Sequence, residues 1–159
     1  MRKDFAMKLA EALMERADLQ KRLDQLRDRL RSNARVQEGE QPAEDPQALL
    51  RELESGIQRM EWLATRINLT NTRTQAAGES LTALLARRDA WRQETAMLRE
   101  FLDAASALAD RASRSEIKVQ STVHVAALQK TLDQKCKALR ELDACIQAAN
   151  WITELDEKA

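Results

Sequence analysis

Tyrosine is missing from this 159-residue chain, and aromatics in all amount to three Trp and two Phe. The core must therefore be aliphatic. Glycine occurs three times, scattered. That excludes P-loop and dinucleotide-binding chemistry, which needs glycines where backbone amides approach phosphate. A carboxylate-bridged di-metal bundle needs Glu-x-x-His pairs on facing helices, and His124 is the single histidine. Cys136 and Cys145, nine apart, fall on opposite sides of a helix. They make neither a CxxC nor a zinc site, and read as small hydrophobes in a reducing cytoplasm. Charge of one sign is also lacking: Lys+Arg and Asp+Glu both number 26. A nucleic-acid partner would require basic excess against phosphate. The longest uncharged run, residues 119–129, is far too short for a membrane span, and the N-terminus has no apolar signal-peptide core. The expectation is a non-enzymatic, cofactor-free, cytoplasmic protein. The alternative location is outside the cell, by a route needing no recognisable signal.

What the chain does contain is helix-forming. One third of it is charged and only two prolines interrupt it, the composition of long helices. Helix one is expected over Asp4–Ser32, carrying Leu9, Arg16, Leu23 and Leu30 at one heptad position and Ala12, Leu19, Leu26 and Asn33 at the other. It should be roughly 44 Å long, longer than helix two. Asn33 reads as a left-handed stop, Asp45-Pro46 as cap and first turn. Helix two runs from Pro46 to about Thr70, with Leu49, Leu53, Ile57, Met60, Leu63 and Ile67 on one face. After a breaker at Gly78 and a cap at Ser80, helix three covers about 80–113 and helix four about 125–150. Between these last two, Ile117, Val119, Val123 and Val125 alternate with polar residues, a strand-like period of two. The expected fold is all-α: one domain over 1–159, with four long antiparallel helices in coiled-coil-like packing. A short extended or two-stranded element is expected near 34–38 and 116–123.

The stretch RINLTNTRT, residues 66–74, puts Asn and Thr where a leucine stripe should continue. Such side chains compete for backbone hydrogen bonds and end helices. Asn71 also lies on the apolar stripe. With Asn150, Arg88 and Thr95 it could form a buried polar layer that sets helix register and partner number. Arg88 reads as a seam charge paired to a neighbouring helix and Arg87 as solvated. His124 falls where a helix cap or strand end is expected. Trp62 and Leu69 share the side opposite the stripe. With Ile117 and Val119 on an unpaired strand, they are candidate contacts between copies.

The segments NARVQEGEQPAEDP, RINLTNTRT, LTALLARRDAWR and RSEIKVQSTVHVAALQK, in that order, resemble the septicolysin-like family of small helical bacterial proteins. The resemblance implies a helical protein that assembles as a hexamer, with no catalytic residues to transfer. Its label offers a pore-forming cytolysin as the alternative to a self-assembling scaffold or interaction module. A pore must offer lipid a continuous apolar surface, and the sequence supplies none.

Overall fold

The structure, a computed structural model, describes residues 6–107 and 119–158. The described residues are mainly α-helical, forming four helices and one small antiparallel hairpin. Contacts gather the chain into two compact units, Met1–Thr74 with Ala148–Ala159, and Gln75–Gln147.

In the first unit, α1 spans Leu9–Ser32 and α2 spans Pro46–Arg73. The start of α1 lies five residues later than Asp4. With 24 residues against 28 it is the shorter of the two helices, reversing the expected order. The buried row of α1 is Leu9, Ala12, Leu19 and Leu26, ending in Asn33. The companion row is less buried, and Arg16 is exposed. The helices run antiparallel, as two ion pairs show: Glu15 of α1 meets Arg59, and Arg29 meets Glu52. Gly56 permits the close approach. A Cβ built there would stand 2.8 Å from Cδ2 of Leu23.

Capping follows the local sequence. Asp45 accepts the Gln47 amide at 2.9 Å, with Pro46 at the first helical position. Asn33 ends α1 in another way than expected. Its φ is −101°, not left-handed. Its amide group instead donates to the Arg29 carbonyl and accepts the Glu44 amide, both at 2.9 Å. The side chain thus ties the end of α1 to the connecting loop, and burial of Asn33 follows from that satisfied pairing. The loop holds a glycine at φ 87°, Gly39.

The first unit is closed by the C-terminal segment. Leu9 donates its amide to the Thr153 carbonyl at 2.9 Å, and Leu155 donates to the Met7 carbonyl at 2.7 Å. The first helical amide of α1, which has no intrahelical acceptor, is thus satisfied by residues at the far end of the chain. Leu155, within this strap, is itself buried.

In the second unit, Gln75–Ala76 (β1) pairs with Glu79–Ser80 (β2). This is the two-stranded element, and it lies elsewhere than expected. Ala77 and Gly78 both take positive φ, 50° and 84°, the requirement of a tight hairpin turn matched to strand twist. Residues 34–38 are irregular and end in a turn. Residues 119–123 form no strand, and 116–118 lie outside the described residues. Helix α3 spans Leu81–Ser106, capped by the Ser80 hydroxyl, which accepts the Ala83 amide at 3.2 Å. It stops short of the expected 113; residues 108–113 lie outside the described residues. Helix α4 spans Val125–Ile152, its last five residues belonging to the first unit. The His124 ring nitrogen Nδ1 accepts the Ala127 amide at 3.1 Å, so the histidine serves as the helix cap. Within this unit α3 and α4 run antiparallel, joined by Arg92–Asp143 at 3.1 Å and Lys135–Glu94 at 2.7 Å. No helix among the described residues is long and apolar enough to cross a membrane.

Candidate functional site

Helix α2 presents two faces with unspent chemistry. The first is a row of arginines. Arg59, Arg66 and Arg73 recur every seven residues, and two helical turns bring each nearly above the last. Arg59 donates to both carboxylate oxygens of Glu15, at 2.7 and 2.8 Å. That pairing holds the Glu15 carboxyl below its ordinary pKa and raises that of Arg59. The Arg59 guanidinium also lies 4.3 Å from the centroid of the Trp62 ring, a cation–π geometry. Trp62 is half-buried, so part of its expected exposed surface is roofed by a cation. Arg73, at the C-terminal end, pairs with Asp156 of the strap.

Thr70 links the row to the strap. It is 2% exposed. Its hydroxyl donates to the Arg66 carbonyl at 2.8 Å and accepts the Asp156 amide at 2.9 Å. The polar stretch 66–74 is therefore neither a loop nor the end of the helix at Thr70. It forms the last two turns of α2, and its threonine receives another segment of the chain. Thr72 bonds its own helix, to the Asn68 carbonyl at 3.0 Å.

The second face is apolar. Leu50 and Ile57 are 47% and 51% exposed, two turns apart, with Leu53 and Met60 half-buried alongside. Successive helical residues turn by about 100°, so Ile57 points well away from the Gly56 contact with α1.

Of the expected polar layer, Asn71 and Asn150 fall in the first unit, half-buried and buried, and Arg88 and Thr95 in the second. The Thr95 hydroxyl bonds the Trp91 carbonyl at 2.8 Å; this local bond satisfies the donor without another helix. Arg88 pairs with Asp89 at 2.9 Å and reaches Asp143 of α4 at 4.0 Å. Arg87 pairs with Glu79 at 2.8 Å. Of the expected contact residues, Leu69 is half-buried and Val119 half exposed, lining a shallow groove with Phe101. Ile117 lies outside the described residues. The second unit also holds a cleft of about 350 Å³ between α3 and α4, lined by Trp91, Glu94, Thr131, Gln134, Lys135 and Ala138. Sequence reasoning read Thr70 only as a helix end and passed over Arg66 and Asp156. The seven-residue arginine spacing was visible, but the acids that answer it come from other segments.

A family model described as a family of unknown function, DUF6847, matches residues 16–155. A solved structure described as a functionally unknown conserved protein from Corynebacterium diphtheriae is 41% identical, with a TM-score of 0.90. The match covers 96% of this chain and 100% of that one. Among curated proteins nothing matches. These findings overturn the septicolysin resemblance: the family matched is DUF6847, and the similar solved structure is of a functionally unknown conserved protein. The hexamer and cytolysin expectations had only that resemblance behind them. The chain belongs to the DUF6847 family of unknown function.

Proposed function

We propose that this chain is a self-associating helical protein, a scaffold or interaction module whose first partner is a second copy of itself. The observation that carries this reading is the apolar stripe on α2: Leu50 and Ile57 exposed, Leu53 and Met60 half-buried between and beside them. The stripe runs about 15 Å along the helix. Contiguous apolar surface on a soluble protein marks an interaction site. A helix stripe is also self-complementary about a two-fold axis, the commonest symmetry of homo-oligomers. The reading is non-enzymatic. A cytoplasmic location suits it, because Cys136 and Cys145 are free thiols and thiols persist in reducing compartments.

Light scattering across a wide dilution range, on the wild type and on the double variant Leu50→Glu/Ile57→Glu, tests this. The expected result is an oligomer that the double variant converts to a folded monomer. A wild type monomeric at every concentration ends the reading. An unchanged oligomer in the variant removes the stripe from the interface.

A further inference from the structure

We propose that Arg66 receives an oxyanion, a carboxylate or phosphate group, at the centre of the α2 arginine row. The flanking members are already answered within the chain: Arg59 by the Glu15 carboxylate, Arg73 by that of Asp156. Between them, Nε and Nη1 of Arg66 are buried and lack any hydrogen-bond partner among the described residues. A lysine or histidine could answer such burial by releasing its proton. Guanidinium cannot, because its pKa lies far above the working range. Two sealed donors on a permanent cation are costly, and an unsatisfied buried group in a native fold calls for a water, ion or ligand to complete it.

The surroundings favour an anion. The guanidinium fork matches planar oxyanions, and at both neighbouring heptad positions the row already binds carboxylates. The strap closes on the same helix end: Asp156 bonds Thr70, four residues beyond Arg66, through its amide and Arg73 through its carboxylate.

Thermal unfolding is measured against inorganic phosphate and against sodium acetate, with chloride at matched ionic strength as control. Wild type should gain stability from at least one oxyanion beyond chloride. At a concentration about one hundred times the dissociation constant, mass action gives a rise in Tm of roughly 5–10 °C. Response to phosphate alone assigns the site to phosphate; response to acetate assigns it to carboxylates. Arg66→Met should unfold at or above the wild-type temperature without anion, and should not respond to either salt. Arg66→Lys keeps the charge but not the fork, and it covers the case in which the Met variant fails to fold. The Nε–Hε NMR signal absent from the Lys variant identifies Arg66 in the wild type, and it should shift saturably with the effective anion. No wild-type response beyond chloride, or equal responses in wild type and the Arg66 variants, overturns the proposal.

Discussion

Replacing Thr70 with Val isolates the contact that fastens the C-terminal strap. The substitution keeps the branched shape and volume of a residue only 2% exposed. It removes a hydroxyl that donates to Arg66 and accepts from the Asp156 amide. Losing the donation costs little, because the Arg66 carbonyl sits inside a helix that supplies a backbone donor. Losing the acceptor strands the part-buried Asp156 amide, at a cost of about 2 kcal/mol. For a chain of this size that lowers Tm by roughly 4–8 °C. The effect should spread along the strap, since Leu155 and the first amide of α1 depend on it through Leu155–Met7 and Leu9–Thr153 hydrogen bonds. Hydrogen exchange should quicken at Leu9, Leu155 and Asp156 more than in the middle of α2. Thermal unfolding and residue-resolved exchange on Thr70→Val measure both. An unchanged Tm together with unchanged protection at Asp156 would refute the strap's dependence on Thr70.

Three other outcomes follow from the same geometry. Glu15, beside Arg59, and Glu44, beside Arg29, have folded pKa values below the ordinary 4.5; each stabilises the fold above that value and loses its contribution as pH falls through the depressed one. Denaturant midpoints should therefore decline below about pH 4.5, and less steeply in Glu15→Gln; identical slopes would refute the link. His124→Ala should cost up to about 1 kcal/mol by uncapping α4, with His124→Asn restoring most of it; equal loss in both variants would show that Nδ1 is no cap. Gly56→Val should destabilise by about 1–3 kcal/mol through crowding of Leu23, and Leu23→Ala in the same chain should relieve part of that cost, which a double-mutant cycle reads directly.

Helix positions and their caps were written locally in the chain. Pro46 after Asp45, Ser80 before an apolar stripe, and buried residues spaced at helical intervals all act within a few residues of themselves. The helical periods therefore located Leu19 and Leu26 of α1 and Leu49, Leu63 and Ile67 of α2 in the core, whereas Ile57, expected on the same α2 face, is 51% exposed. What the sequence left undecided was non-local. The strand-like alternation at 119–123 pairs with no strand among the described residues, whereas a turn able to hold positive φ at Ala77 and Gly78 built a hairpin instead. Thr70 looked like a helix breaker because its side chain can compete for local backbone bonds; in the folded chain it still donates to Arg66 but also accepts the amide of Asp156, 86 positions away. The arginine row likewise announced only a charged face. Which cation is matched, and that Arg66 has two buried donors without a match among the described residues, was decided when α1 and the C-terminal strap brought Glu15 and Asp156 to its two neighbours. A repeat fixes the direction a side chain takes from its own helix, but the group it meets depends on how distant segments of the chain close around it.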